Sequence, residues 1–355
     1  MKGVAVFFFF FFIFLTIGAI YYKTSQDSDK ENSSPKSPVE EERMDEKGID
    51  GKIISESIFV PYWGLNDRLG VSNFDTYYYF GVSFDEKGEI EHEDGFEQID
   101  EFTNALGNTA KKYLVIRMIN QDFNKKLISD IKLQEKIMTQ SAFIIEQKGF
   151  DGAVLDFETS VLGFASIEKT ITFFIENFSK KIHSEKKGFY VTLYGDTYYR
   201  GRPYDVGAIA KVSDRIIVMA YDFHKARGSG GPNFPFDANS EYPYDFKKMI
   251  SDFKKDVPVE KIEITFGFFG YDWVKEGIDL AQSYSYGEIK QKFIENCVNC
   301  IDLTDNQSQE GHISYEEGNV EHDVWFETPK SVEIKKKYAD QKGITHFSAW
   351  AYSYY

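Results

Sequence analysis

The stretch Gly149-Phe150-Asp151-Gly152-Ala153-Val154-Leu155-Asp156-Phe157-Glu158 reads as a buried β-strand that carries two acids. Strand side chains alternate between faces, so Ala153, Leu155 and Phe157 point one way while Val154, Asp156 and Glu158 point the other. At about 3.3 Å of rise per residue, the Cα atoms of Asp156 and Glu158 lie roughly 6.6 Å apart, within reach of one substrate or of each other. A lone Asp-x-Glu at a strand end is usually a solvated pair or a cap for the next helix, because acids are seldom buried. Company from other strands decides between the two readings.

That company is present. Apolar or β-branched runs bounded by turn residues predict strands at Ile58–Pro61, Tyr77–Ser83, Tyr113–Ile119, Phe150–Phe157, Phe189–Tyr194, Arg215–Tyr221, Ile262–Phe268 and Thr345–Ala351. Helical patterns fall between most of them, at Phe96–Thr109, Leu133–Gln147, Ser166–Ser184, Val206–Lys211, Tyr244–Lys254, Tyr286–Asn296 and Pro329–Gln341, the last opened by a proline. Eight alternating strands predict an α/β fold of the (β/α)8 TIM-barrel type, with a doubly wound sheet as the alternative. Active sites of such barrels form at the C-terminal ends of the strands. Asp156 and Glu158 end the fourth strand, Met219, Tyr221 and Asp222 the sixth, and Trp350 the eighth, so three strands converge on one rim.

The N-terminal part is of another kind. Gly3–Tyr22 holds no charged residue, and at about 1.5 Å per residue it spans roughly one bilayer core. With Lys2 before it and no small-x-small cleavage site after it, residues 1–23 read as an uncleaved membrane anchor, the alternative being a removed signal peptide and a secreted protein. Either way the body lies outside the cytoplasmic membrane. Residues 24–50, rich in Ser, Asp, Glu, Lys and Pro, read as a disordered polar linker, and 51–355 as the barrel domain.

A net charge of −16 and an acidic sequence argue against nucleic acid or anionic lipid as partner, but carry no penalty for a neutral polymer. Aromatic residues make up 17% of the chain, a content that suits sugar clefts as well as cores. Trp63 and Tyr271 are the aromatic residues outside the three strands chosen as substrate contacts; Tyr198, Tyr199, Trp273 and Trp325 either line subsites or pack. Cys297 and Cys300 can form a local disulfide but cannot close a zinc site alone. The six histidines show no metal spacing, so no metal or organic cofactor is implied. The chain is expected to act as a monomer.

These motifs resemble glycoside hydrolase family 18, the chitinase-like barrels. Asp151-Gly152, Asp156 and Glu158 are similar to that family's D-G-x-x-x-D-x-E, Met219-Ala220-Tyr221-Asp222 to its M-x-Y-D, and Gly228–Asn233 to its following loop. The stretches Ile264–Tyr271 and Val324–Glu327, and the tail to Trp350, are similar as well. The resemblance implies a glycosidase that cuts β-1,4 bonds of N-acetylglucosamine-containing glycans, whether chitin, chito-oligosaccharides or the glycan of peptidoglycan. It implies substrate-assisted, retaining catalysis, the exception to the paired-carboxylate scheme. Glu158 is then the general acid and base, Asp156 orients the acetamido N–H, Tyr221 donates to the acetamido oxygen, Asp222 holds the distorted sugar, and Trp350 forms its floor, with Met219 packed beside them. One departure stands out: where active members carry D-x-D-x-E, the first acid is Val154. Asp156 without that neighbour is expected to stay ionised and turned toward Glu158. The alternative is a non-catalytic glycan-binding protein on the same barrel.

Overall fold

The computed structural model describes residues 55–354, apart from residues 67, 70–71, 73, 109, 160–164, 240, 276, 278–279 and 296–303. The expected anchor at 1–23, the linker at 24–50 and the pair Cys297 and Cys300 lie outside the described residues. Among the described residues no helix is long and apolar enough to cross a membrane.

Each run read as a strand forms one. In chain order these are β1 (Ser55–Pro61), β2 (Thr76–Val82), β3 (Lys111–Met118), β4 (Gly152–Phe157), β5 (Gly188–Tyr194), β6 (Arg215–Ala220) and β7 (Ile262–Gly267). Then come β8 (Phe269–Val274), β9 (Gln282–Ser285), β10 (Gly311–Glu317) and β11 (Val320–Phe326), before β12 (His346–Trp350). Strands β1 to β7 and β12 close into a barrel in the order β1-β12-β7-β6-β5-β4-β3-β2, all paired parallel. The barrel is thus of TIM type.

Helices α1 (Ile99–Leu106), α2 (Gln121–Leu127), α3 (Ile131–Gln147), α4 (Ala165–Ser184), α5 (Val206–Val212), α6 (Phe246–Asp256) and α7 (Pro329–Gln341) connect the strands. Several start where a side chain satisfies a free backbone N–H: Asp130 accepts from Leu133, Asp205 from Ala208, Asp245 from Lys248, and Thr328 with Ser331 forms a capping box ahead of α7. The outward-facing residues of the strands, such as Ala153, Leu155 and Phe157, join helix residues such as Phe174 and Phe178 in the main core. Inward-facing residues form a second, smaller core of Phe59, Tyr78, Phe80, Tyr113, Val115, Val154, Tyr190 and Ile217. Tyr113 and Tyr190 stack at 4.3 Å between ring centroids, and Tyr78 meets both edge-on at 6.1 and 6.2 Å. Five aromatic residues therefore plug the barrel, and they set the acids of β4 above a dry layer.

Three elements were not foreseen. Helix α2 follows β3 directly, capped by Asn120. The region read as one helix from Tyr286 is a short α-turn, Tyr286–Ile289, running into a π-helical turn, Lys290–Ile294. Strands β8 to β11 form a separate antiparallel sheet in the order β10-β11-β8-β9, inserted between β7 and β12. Its small core holds Ile289, Phe293, Ile313, Val324 and Phe326. The sheet is tied to the barrel by a fully buried cluster, in which Lys335 of α7 reaches Glu310 at 2.7 Å and Glu327 at 2.6 Å. Glu310 in turn accepts from the backbone N–H groups of Asn233 and Phe234 at 2.5 and 2.8 Å, in the loop after β6.

Candidate active site

The end of β4 is clamped from both sides. The Glu158 N–H donates to the Met118 carbonyl at 2.8 Å, which extends the β3–β4 ladder by one residue. The Asn124 side-chain amide on α2 donates to the carbonyls of both Met118 and Glu158 at 2.6 Å, so α2 locks two strand ends together. On the other side the Tyr204 hydroxyl donates to the Phe157 carbonyl at 2.8 Å and accepts from Thr159 N–H at 3.1 Å. Main-chain and side-chain bonds thus fix the backbone that carries Glu158, which is what a precisely aimed acid requires.

Asp156 is buried, and Thr192 on β5 donates to its Oδ1 at 2.6 Å. One carboxyl oxygen is thus engaged by Thr192. Burial, together with the charge of Glu158, pushes the Asp156 pKa up to about 7, while the Thr192 bond and the Arg117 guanidinium pull the other way. The sequence led to the expectation that Asp156 stays ionised; the apolar layer below it, which contains Val154, instead pulls it toward the neutral acid by desolvation. Arg117 lies opposite Asp156 in the β3–β4 register, yet its guanidinium packs over the Phe80 ring at 4.8 Å.

Glu158 accepts a hydrogen bond from the Tyr194 hydroxyl at the end of β5. Burial raises its pKa, opposed by that hydroxyl and by the field of Lys225. The Tyr221 phenol is raised well above its ordinary value by burial and by Asp156, Asp222 and Glu158, so it remains a hydrogen-bond donor. Asp222 sits in the left-handed region with φ of 59°, held there by its own N–H donating to Asn233 Oδ1 at 2.7 Å. The Tyr271 hydroxyl on β8 donates to Asp222 Oδ1 at 2.8 Å, and burial raises the Asp222 pKa.

The floor is aromatic. Trp350 packs against Phe80 at 4.7 Å, Phe59 at 5.7 Å and Trp63 at 6.4 Å between centroids. Trp63 is 50% exposed, which leaves a face free for a ligand. Met219 is buried on β6 and offers no polar group, so its part is packing. The other aromatics divide: Trp273 is buried, Trp325 stacks on His312 at 3.9 Å, Tyr198 packs on Phe253, and Tyr199 stays 44% exposed. Among the described residues no group of His, Cys, Asp and Glu is arranged to hold a metal ion.

Sequence reasoning missed Thr192, Tyr194, Arg117 and Asn233. Tyr190, Thr192 and Tyr194 follow each other with period two on β5, and that inward row of hydroxyls was a readable signal.

A parallel eight-stranded α/β barrel with a buried and a half-buried carboxylate and an aromatic floor at its C-terminal rim is the architecture of barrel glycosidases. The chain belongs to glycosyl hydrolases family 18, whose sequence pattern matches residues 61–354. The cortical fragment-lytic enzyme of Bacillus anthracis is 25% identical over 302 residues, 81% of this chain and 66% of that protein. The chain thus spans just under two thirds of that relative. The spore cortex-lytic enzyme SleL of Bacillus cereus superposes with a TM-score of 0.70 at 20% identity, over 85% of this chain and 72% of that one. A GH18 chitinase from Cycas revoluta, solved in complex with (GlcNAc)3, superposes with 0.69 at 21% identity, over 84% and 95%. These likenesses show the shared fold.

Proposed function

We propose that the chain is an exported hydrolase of β-1,4-linked, N-acetylglucosamine-containing glycans, working by substrate-assisted retaining catalysis. The observation that carries this reading is the placement of Asp156 and Glu158 on one inward face of β4, with Tyr221, Asp222 and Trp350 around them. Glu158, whose pKa burial raises, gives its proton to the glycosidic oxygen as that bond breaks. The carbonyl oxygen of the substrate's own acetamido group attacks the anomeric carbon and forms a cyclic oxazolinium ion. Asp156 accepts the acetamido N–H, Tyr221 donates to its oxygen, and the Asp156 charge offsets the cation. Water, losing a proton to Glu158, then opens the ring with net retention. The aromatic floor of Trp350, Phe59 and Phe80 receives the apolar face of the sugar. Family membership supports glycoside hydrolysis as the reaction. Residues 1–23 would tether the enzyme outside the cytoplasmic membrane, with 24–50 as spacer.

Product analysis tests the proposal. The wild type should release reducing ends from N-acetylated oligomers or from purified peptidoglycan, and none from deacetylated oligomers. Glu158→Gln should lower turnover by about 10³-fold or more while the thermal midpoint holds. The glycan-binding alternative draws on Val154, which leaves Asp156 bonded to Thr192 above an apolar layer. Binding without turnover in both proteins would establish it and remove the hydrolase reading.

A further inference from the structure

Beside Glu158, between the loops that follow β5 and β6, lies a cleft of about 530 Å³. Thr159 and Phe223 line it together with four cations, Arg200, Arg202, Lys225 and Arg227, and its described lining holds no carboxylate. The chain as a whole carries a net charge of −16, so this concentration of positive charge runs against its composition. Arg200 and Arg202 share a single counter-charge, the buried Asp196, which accepts from Arg202 Nε at 2.7 Å and Nη2 at 3.1 Å and from Arg200 Nε. Lys225 and Arg227 form no ion pair among the described residues. Asp196 is the one acid ion-paired with these cations among the described residues; the fields of Lys225 and Arg202 also reach Glu158, and that of Lys225 reaches Asp222, so the four positive charges around one concavity favour an entering anion.

The cleft adjoins the chemistry directly. Thr159 follows Glu158 in the chain, and Arg202 lies 3.8 Å from the ring centroid of Tyr194, whose hydroxyl holds Glu158. The Lys225 ammonium lies 4.8 Å from the same centroid. The loop bearing Lys225 and Arg227 is pinned at its base, where Phe223 N–H donates to the Asn233 carbonyl at 2.8 Å and His224 Nδ1 meets the Pro232 carbonyl at 2.8 Å.

We infer that this cleft is an anion subsite: Arg200, Arg202, Lys225 and Arg227 receive a carboxylate or phosphate borne by a sugar adjoining the scissile bond, so the substrate is an acidic N-acetylglucosamine-containing glycan and not neutral chitin. The inference rests on the hydrolase reading for its location and narrows it, since alternate sugars of peptidoglycan carry an ether-linked lactyl group that is a free carboxylate where the stem peptide is absent, whereas chitin bears none. Guanidinium groups pair well with either oxyanion through parallel N–H bonds.

The test compares soluble peptidoglycan strands with chito-oligosaccharides of equal length. It uses the wild type, Arg227→Gln and Lys225→Gln/Arg227→Gln for turnover, and Glu158→Gln with and without Arg227→Gln for binding by calorimetry. Wild-type kcat/KM should favour the acidic glycan and fall with added salt. The ratio of acidic to neutral kcat/KM should drop about tenfold in the double variant, the loss of one charge-assisted contact or more. Strands stripped of phosphate polymers, and strands with amidated carboxylates, identify which anion is bound by which treatment removes the preference. Equal turnover of both substrates, or a ratio that the variants leave alone, overturns the subsite and keeps the hydrolase. Tighter, salt-sensitive binding of the acidic glycan that Arg227→Gln abolishes, with no turnover of either substrate, keeps the subsite and removes the hydrolase.

Discussion

The floor and the rim of this barrel both bury carboxylates, and they treat them in opposite ways. At the floor Glu263, with no exposed surface, accepts from Arg215 Nη1 at 2.8 Å and from the Tyr78 hydroxyl at 2.9 Å on each oxygen. At the rim Asp156 and Glu158 receive hydroxyls, from Thr192 and Tyr194, and among the described residues neither forms an ion pair. A buried acid given a cation ties elements together; a rim acid given only a hydroxyl is left free to exchange its proton with a substrate, and burial pushes the Asp156 pKa up to about 7. The cluster of Glu310, Glu327 and Lys335 follows the floor's pattern in its ion pairs, which mark it as the brace of the inserted sheet, although burial pushes the Glu327 pKa up to about 7 as well.

Removing the cation from the floor should have the largest effect on stability. Arg215→Met leaves Glu263 buried without its counter-charge, and breaking such a pair costs about 3–5 kcal/mol. Urea unfolding should show that loss, while the pH profile of activity keeps its shape because Arg215 is remote from the rim. A variant as stable as wild type would mean that the floor acid tolerates isolation, and the contrast with the rim would fail.

The rim should respond with the opposite sign. An Asp156 pKa of about 7 in the native state exceeds the value near ~3.9 of an unfolded chain, so the native state binds its proton more tightly. Below about pH 4 both states carry the proton and Asp156 imposes no penalty; the penalty grows as pH rises toward ~7 and is complete above it. Asp156→Asn should therefore stabilise the protein by ~2–4 kcal/mol at about pH 8 and by little at about pH 4. Turnover should fall at least about 100-fold in the same variant. A thermal midpoint that drops at the higher pH would show that Asp156 is a structural acid like Glu263.

The contrast also marks what the sequence could tell. Every barrel strand was legible because each is a short apolar run between turn residues, and the positions of Asp156, Glu158, Tyr221, Asp222 and Trp350 at the rim follow from where those runs end. The inserted sheet was not legible. Strands such as Val320–Phe326 bury only Val324 and Phe326 and carry Glu321, His322 and Asp323 in a row between Val320 and Val324, so they read as polar loop. The floor acid was hidden for another reason, since Glu263 lies in the run Ile262-Glu263-Ile264-Thr265-Phe266, and its partners Arg215 and Tyr78 are far away in sequence. Tertiary pairing of that kind leaves no local pattern. The upward pull on the Asp156 pKa was not legible, because the identity of Val154 can be read from the sequence and the dry layer of Tyr78, Tyr113 and Tyr190 around it cannot.

The smallest effect separates the two hydroxyl donors. Tyr194 donates to Glu158, which favours the carboxylate and restrains the rise that burial causes. In Tyr194→Phe the ring remains beneath Arg202 and Lys225, but the donor is gone, so the Glu158 pKa should climb further. Because the general acid works protonated, the alkaline limb of kcat should move up by about one pH unit, with a severalfold loss of rate from the freed carboxyl. At the floor Tyr78→Phe removes a donor of the same kind from Glu263, which still keeps Arg215. That variant should lose ~1–3 kcal/mol of stability and leave both limbs of the pH profile where they were. Equal shifts in the two variants, or an alkaline limb that falls in Tyr194→Phe, would mean that Glu158 is not the proton donor and that the rim acids owe their burial to the fold alone.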